Sequence, residues 1–289
     1  MSSINSNLLV TNAITCSNLT SDYPVITLSN KHGSTTIALH GAHVIDYTPV
    51  NQKPVIFTSE SAIYREGKAI RGGVPVCWPW FNAHPTDSSL PSHGYARTQF
   101  WTLIGSNHNE ESTSITLEFS IESLRAEVTI ALSEKLDISL TTKNISPEIQ
   151  TIGGALHTYF QVSNIANTTL SGLDEVNYIN TVGNANTQEN QSGEITITEE
   201  TDRIYENTSA TVRIYDSEWQ RDIAVQKSGS LSTVVWNPWI EKSKGMGDLG
   251  DEDYLQFVCI EAANAREDVY QIAPNETHTL ATTITSIPR

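Results

Sequence analysis

Cysteine and positive charge are scarce in this sequence. Its 289 residues include three cysteines, Cys16, Cys77 and Cys259, an odd number without a CxxC spacing. This pattern indicates neither a disulfide framework nor a zinc knuckle, so we expect unpaired thiols. Lysine and arginine number 17 against 33 aspartates and glutamates, which gives a formal net charge of −16. We therefore expect no nucleic acid or anionic membrane as partner, because both are bound by neutralising their phosphates.

Long hydrophobic runs and export signals are also missing. No stretch approaches the roughly 20 consecutive apolar residues that a transmembrane helix needs. The N-terminus has neither the basic n-region nor the apolar h-region of a secretory signal. These absences predict a soluble, cytoplasmic protein.

Signatures of metals and cofactors are absent from the sequence. There is no HExxH, no Gly-rich phosphate loop and no cluster of His and Cys, and the eight histidines are scattered. His40 and His43 stand three apart, and in a strand such residues point to opposite faces, which disfavours a shared metal. We expect no metal and no cofactor.

Helical periodicity is weak, whereas period-two alternation of apolar and polar residues recurs along the chain. Clusters of Gly, Pro, Asn and Asp separate the alternating segments. This pattern predicts an all-β, antiparallel sandwich with few short helices, and the absence of linkers and repeats predicts a single domain over residues 1–289. The alternating segments are STTIALH from Ser34, TSITLEFSI from Thr113, RAEVTIALS from Arg125, LDISLTTK from Leu136, ATVRIYDS from Ala210 and STVVWN from Ser232.

Two long stretches, residues 69–99 and 237–253, interrupt the alternation, and loops of that length in a compact domain are usually functional or disordered. The first combines paired glycines, prolines, aromatic rings and arginines, which is the composition of a polar-ligand pocket. Sugar rings stack their C–H faces on aromatics and need paired hydrogen bonds, so a carbohydrate fits this loop. The alternative is a structured loop whose arginines only pair with the acidic surface.

Two further residues have side chains suited to acid–base chemistry. His157 follows the small residues 153–155, which leave room beside it. Glu261 ends the apolar segment FVCIE, where a carboxylate is either solvated or part-buried with a raised pKa. A lone strand histidine is more often structural than catalytic, so the residues alone leave both alternatives open.

Several motifs together resemble the hexose-6-phosphate mutarotases, also called glucose-6-phosphate 1-epimerases, a branch of the aldose 1-epimerase superfamily. The resemblance runs in order from about residue 70 to 265. It implies a galactose-mutarotase-like β-sandwich, or supersandwich, a hexose 6-phosphate as substrate, no cofactor and a monomer. The motifs are RGGVPVCWPWF, LPSHGYARTQFW, ALHTYFQVSNI, TDRIY, VVWNPW and IEAANA.

The resemblance assigns His157 and Glu261 to the catalytic pair. Interconverting the anomers of an aldose requires ring opening, for which one base at the C1 hydroxyl and one acid at the ring oxygen suffice. We expect Glu261 to be the base and protonated His157 the acid. Burial would have to raise the pKa of Glu261, and a carboxylate such as Asp202 would hold His157 protonated.

The resemblance also suggests supporting residues. His93 and Asp202 would bind sugar hydroxyls or assist the chemistry, and Arg71 and Arg97 would face the 6-phosphate. An arginine fork binds phosphate oxygens in pairs, which suits this role better than lysine does.

Other interpretations of the same residues remain. They are an aldose 1-epimerase acting on unphosphorylated sugars, a non-catalytic carbohydrate-binding or sugar-sensing protein on the same fold, and a glycoside hydrolase that uses Asp202 and Glu261 as its carboxylate pair. Lys242 and Lys244 in the second loop either assist the phosphate site or are ordinary solvated charges, and we favour the latter.

Overall fold

A computed structural model describes residues 4–20 and 22–289 of the chain. These residues form antiparallel strands, short 3₁₀ turns and one six-residue α-helix, α1 (Trp239–Lys244). The strands are β1 (Ile14–Asn18), β2 (Pro24–Asn30), β3 (Gly33–Ala38), β4 (His43–Pro49), β5 (Val76–Cys77), β6 (Thr102–His108), β7 (Thr113–Ser120), β8 (Leu124–Leu132), β9 (Leu136–Asn144), β10 (Gln150–Ile152), β11 (Gly154–Leu156), β12 (Tyr159–Gln161), β13 (Thr168–Ser171), β14 (Asn177–Asn180), β15 (Thr187–Asn190), β16 (Thr201–Tyr205), β17 (Val212–Asp216), β18 (Arg221–Ser228), β19 (Ser232–Asn237), β20 (Phe257–Asn264), β21 (Tyr270–Ile272) and β22 (Thr277–Pro288). The 3₁₀ turns are Ser6–Leu8, Ala96–Thr98, Ile165–Asn167, Val182–Asn184, Asp253–Leu255 and Arg266–Asp268.

The strands are arranged in two large sheets and two small ones. One large sheet, here called the backing sheet, has the order β13-β17-β18-β22-β9-β8-β7-β6. The other, called the site sheet, has the order β15-β14-β16-β19-β20-β11-β5, with β12 also paired to β20. The small sheets are β1-β2-β3-β4 and β10-β21. The all-β antiparallel sandwich predicted from the sequence is confirmed.

The backing sheet shows why period-two segments form it. In β8 and β9 every second residue is buried and the residues between are half-exposed, so each strand has one apolar and one polar face. The six alternating segments identified in the sequence coincide with β3, β7, β8, β9, β17 and β19.

The site sheet is covered on both faces at its centre. All eight residues of β20 are buried, and the six apolar ones divide by period two between two apolar clusters. Val258, Ile260 and Ala262 join the core that also holds backing-sheet residues, whereas Phe257 and Cys259 join a smaller cluster on the opposite face. Glu261 is in step with the latter pair, so its side chain points to that opposite face, called the site face.

The N-terminal region departs from the sequence-based expectation. The argument about the two histidines placed His40 and His43 in one strand, but β3 ends at Ala38 and β4 begins at His43. Gly41 and Ala42 between them have positive φ values of 83° and 47°. The argument that His40 and His43 face opposite sides of one strand was therefore wrong in its premise.

In the described residues no helix is long and apolar enough to cross a membrane.

Candidate active site

The site sheet brings the predicted acid–base residues onto the site face: Glu261 lies on β20, and His157 lies in the two-residue break between β11 and β12. Ala155 and Tyr159 belong to the site-face cluster, and His157 lies in step between them. Asp202 on β16 is likewise in step with Ile204, which belongs to the same cluster. Together with Glu261 these residues occupy one face, although they are up to about a hundred residues apart in sequence.

His157 and Glu261 are in direct contact. Nδ1 of His157 lies 3.3 Å from Oε1 of Glu261, with side-chain exposures of 13% and 1%. The imidazole stacks on Tyr159 at 5.0 Å between centroids and meets the edge of Trp236 at 5.8 Å. Within the part of the chain that the structure describes, neither His157 Nδ1 nor Glu261 Oε2 has a hydrogen-bond partner. A buried polar atom without a hydrogen bond costs free energy, and such atoms are characteristic of sites where a ligand supplies the missing bond.

The environment shifts the pKa values of the two residues in opposite directions. Burial raises the pKa of Glu261 well above its ordinary value, and the charge of Asp202 adds to that rise while Arg97 opposes it. Burial also lowers the pKa of His157 well below its ordinary value, and His93, Arg97 and Arg71 lower it further. The expected effect of burial on Glu261 is thus present, whereas Asp202 acts on Glu261 rather than on His157. In the free protein these shifts favour the protonated carboxyl group of Glu261 and the neutral imidazole of His157.

His93 lies beside the pair in a constrained turn. It has a φ of 66° and is followed by Gly94, where an added Cβ would lie 1.9 Å from the carbonyl oxygen of Trp78. The backbone N–H of Asn82 donates to His93 Nδ1 at 3.2 Å, which assigns the proton of the neutral ring to Nε2. Burial, with Arg97 and Arg71, lowers the pKa of His93 to about 3. His93 is therefore a neutral hydrogen-bond donor, 6.2 Å from His157 between ring centroids.

A glycine-to-alanine change at Gly94 is expected to destabilise this turn. The substitution places a Cβ against backbone at a φ of 71°, which side chains rarely adopt. We expect a fall in melting temperature of several degrees, from a cost of roughly 2–3 kcal/mol. Gly67→Ala is the control, because its φ is 76° but nothing lies within 4 Å of an added Cβ. Equal melting temperatures for the two variants would contradict the importance of this close approach.

The small residues before His157 serve a different purpose from the one expected. A Cβ on Gly154 would lie 2.6 Å from the carbonyl oxygen of Cys77, and one on Gly153 would lie 2.9 Å from that of Asn264. Neighbouring backbone therefore occupies the space that these glycines leave. They permit close strand pairing and so fix the position of His157.

Arg71 is already engaged by two neighbours. Its Nε and Nη2 donate to Oδ1 and Oδ2 of Asp248 at 3.1 and 3.4 Å, and its Nη1 donates to the hydroxyl of Tyr159 at 3.1 Å. The side chains of Arg71 and Asp248 are each 24% exposed. Arg71 thus lies beside the ring that stacks on His157, but one of the two edges of its guanidinium suited to a phosphate is taken by a carboxylate.

Arg97 carries a positive charge without a carboxylate partner among the described residues. Its Nη2 donates to the carbonyl oxygen of Ser92 at 3.1 Å. Its charge lowers the pKa of both His157 and Glu261, so the guanidinium lies close to the pair. Arg97 is therefore the more available of the two arginines for an anion.

The remaining candidates lie at the edge of this group. The backbone carbonyl of Asp202 accepts from the N–H of Thr181 at 2.9 Å, and burial raises the pKa of its carboxyl group. Lys242 pairs with Glu200 at 2.7 Å and Lys244 with Glu241 at 3.5 Å. Both lysines are thus engaged with surface carboxylates, as the solvated interpretation expects.

A cleft of about 650 Å³ adjoins the site on the side of His93. Trp80, Phe81 and Tyr95 of the aromatic loop line it, with Ile204 across from them. Phe81 also contacts the ring of His93, at 5.1 Å between centroids. The loop that the sequence indicated as a sugar pocket therefore builds an aromatic wall next to His93, whose ring lies 6.2 Å from that of His157.

Sequence reasoning missed three residues of the site. Tyr159 stands two positions after His157 and therefore shares its face, which was a usable signal. Trp236 lies in the motif VVWNPW, but only the order of the strands brings it to His157. Asp248 had no signal, because it reaches Arg71 across 177 residues of sequence.

Comparison with known proteins gives consistent matches. The aldose 1-epimerase family matches residues 24–285. A protein of Salmonella typhimurium named "Putative glucose-6-phosphate 1-epimerase" is 34% identical over 267 residues, covering 88% of this chain and 86% of that protein. A protein of the same name from Escherichia coli K12 is 34% identical over 256 residues, covering 84% of each. Among solved structures, a "putative mutarotase" of Salmonella typhimurium is 31% identical with a TM-score of 0.90, covering 97% of this chain and 95% of that one.

Proposed function

Because this chain belongs to the aldose 1-epimerase family, it is an isomerase of the mutarotase type, and we propose that its substrates are hexose 6-phosphates. In this proposal the chain interconverts the α and β anomers of glucose 6-phosphate, with His157 and Glu261 as the acid–base pair. The observation that carries it is the buried 3.3 Å contact between these residues, influenced by the charges of Arg71 and Arg97. The names of the two bacterial relatives support the same substrate.

The proposed reaction needs one proton removed and one added. Glu261 takes the proton of the C1 hydroxyl while His157 gives a proton to the ring oxygen, and the bond between C1 and the ring oxygen breaks to leave a C1 aldehyde. Rotation about the C1–C2 bond exposes the other face of the aldehyde. The ring oxygen then attacks C1, its proton returns to His157, and Glu261 gives a proton back to O1. Both residues end as they began, so the reaction consumes nothing.

The substrate's phosphate would help to create the required protonation state. In the free protein the positive charges of Arg71 and Arg97 lower the pKa of His157. A bound phosphate dianion offsets those charges and so raises the pKa of His157. Because Arg71 does not contribute to the pKa shift of Glu261, its share of the effect favours the proton on the imidazole. A neutral sugar brings no such compensation. This difference supports a phosphosugar over an unphosphorylated aldose.

Removing the charge of Arg97 tests the phosphate specificity. We expect Arg97→Gln to lower kcat/KM for glucose 6-phosphate by roughly 10²-fold, because a part-buried arginine–phosphate pair is lost. The loss for unphosphorylated glucose is expected to be much smaller. The measurement is polarimetry of both sugars with the same enzyme preparations.

The matched control is Arg65→Gln, which removes an exposed arginine a few residues before the aromatic loop. Equal losses on glucose and glucose 6-phosphate in Arg97→Gln would favour the alternative, an aldose 1-epimerase for free sugars. A wild-type protein that accelerates neither sugar would instead favour a carbohydrate-binding protein.

A further inference from the structure

The carboxylate of Asp248 is paired with an edge of the Arg71 guanidinium that a phosphate could bind. An arginine binds an oxyanion in pairs through two parallel N–H groups on one edge of its guanidinium. In this protein the Nε and Nη2 edge already makes that paired contact, at 3.1 and 3.4 Å, with the carboxylate of Asp248. Nη1 donates to Tyr159, so the guanidinium keeps few free N–H groups. An incoming phosphate therefore meets a carboxylate on one of the two edges of Arg71 that could bind it in pairs.

The segment that carries Asp248 is anchored by its neighbours, whereas the Asp248 side chain itself is part-exposed. Oδ2 of Asp253 accepts from the hydroxyl of Ser59 at 2.6 Å and from the N–H of Gly250 at 2.9 Å. The N–H of Ser59 in turn donates to the carbonyl oxygen of Arg71 at 3.1 Å. These bonds connect the segment of Asp248 to the backbone of Arg71. Gly247, directly before Asp248, has no atom within 4 Å of an added Cβ. Leu249, directly after Asp248, is buried in the site-face cluster, and its N–H donates to the carbonyl oxygen of Met246 at 3.1 Å. The carboxylate would therefore leave Arg71 by rotation of the Asp248 side chain, which is 24% exposed.

We propose that Asp248 is a specificity-determining residue that holds the place of the substrate phosphate on Arg71 and is displaced by it. This inference rests on the proposed function, since it needs a phosphosugar at this site. While Asp248 is in place it neutralises Arg71 and keeps the guanidinium oriented by two hydrogen bonds.

Displacement of Asp248 from Arg71 would favour a doubly charged substrate group over a singly charged one. A substrate carrying a carboxylate at C6, such as a hexuronate, would replace one carboxylate with another and gain no electrostatic advantage. A phosphate dianion brings a second negative charge and a third oxygen, so it gains from Arg71 and from the nearby Arg97 together. Asp248 thereby excludes singly charged sugar acids and admits phosphosugars.

The decisive variant is Asp248→Asn, which removes the charge and retains the shape. We expect its KM for glucose 6-phosphate to fall by roughly fivefold, the factor that an ion pair of about 1 kcal/mol corresponds to. Inorganic phosphate should become a stronger competitive inhibitor by a similar factor, and glucuronate, which we expect not to inhibit the wild type, should begin to inhibit. The control is Asp251→Asn, which removes an exposed charge from the same segment.

Two results would overturn the inference. A higher KM for glucose 6-phosphate in Asp248→Asn would mean that the carboxylate only positions Arg71, and Asp248→Ala would then show the same rise. Unchanged inhibition by phosphate and glucuronate would mean that no exchange occurs. The failure of the proposed function is distinguishable, because it would show as a wild-type protein without any preference for glucose 6-phosphate over glucose, and in that case both proposals fall.

Discussion

Replacing Glu261 with glutamine is expected to lower kcat for glucose 6-phosphate by roughly 10³-fold, within the range that a general acid–base group contributes. Glutamine has nearly the shape of the protonated carboxyl group but takes up no proton from the C1 hydroxyl. Because Glu261 is buried and in contact with His157, a carboxylate on the protein surface cannot take over its role as the base. Stopped-flow measurement of anomerisation gives kcat directly, and circular dichroism verifies that the fold is retained.

The same substitution is expected to raise the melting temperature, and to raise it more at pH 8 than at pH 5. Burial raises the pKa of Glu261 above its value in the unfolded chain, so the folded protein holds this proton more tightly. The contribution of that proton to stability is complete below the ordinary value of 4.5 and is lost as the pH rises toward the folded pKa. Glutamine does not ionise, so it avoids this loss.

Calorimetry at the two pH values checks the stability effect, with Glu267→Gln, an exposed change just beyond β20, as the control. Lost activity with gained stability is characteristic of a residue retained for function at a cost to the fold. A variant that is less stable at both pH values would indicate a structural role for Glu261.

Replacing His157 with glutamine is expected to reduce kcat by a similar factor, roughly 10³-fold. Glutamine donates a hydrogen bond to the ring oxygen but transfers no proton to it. The double variant with Glu261→Gln should be little slower than either single variant, because the two residues act as a unit. His108→Gln, on the backing sheet, is the control. A double variant whose losses multiply would contradict a shared proton.

The pH dependence of the wild type follows from the same pair. Activity requires one proton between His157 and Glu261, so kcat/KM should fall at low pH, where both are protonated, and at high pH, where neither is. Since burial raises one pKa and lowers the other, the two limbs belong to the pair and not to separate residues.

The fold was accessible from the sequence where one face of each strand is buried. In segments such as β8 and β9 the alternation is strict, because one side packs on the core and the other meets solvent. The region before residue 65 gave no motif, and it forms the small sheet β1–β4 with positive φ values at Gly41 and Ala42. The helix α1 has six residues, too few to show a 3.6-residue repeat.

The residues of the candidate site could be predicted from the sequence, but the contacts between them could not. His157 and Glu261 share a face because β11, β12 and β20 pair in one register, and no local pattern specifies which strands become neighbours. For the same reason Asp202 acts on Glu261 and not on His157. The contact between Arg71 and Asp248 joins two loops that are distant in sequence. Only the structure therefore shows that Arg71, the expected phosphate-binding residue, is already paired with a carboxylate.

The most direct test of the central claim follows pure α-glucose 6-phosphate to its anomeric equilibrium, detected with a dehydrogenase that oxidises only the β anomer. The wild-type protein is expected to accelerate this approach far beyond the buffer rate, in proportion to its concentration, while Glu261→Gln follows the buffer curve. A wild-type curve that coincides with buffer, or a Glu261→Gln curve that coincides with wild type, would contradict a phosphosugar mutarotase that works through His157 and Glu261.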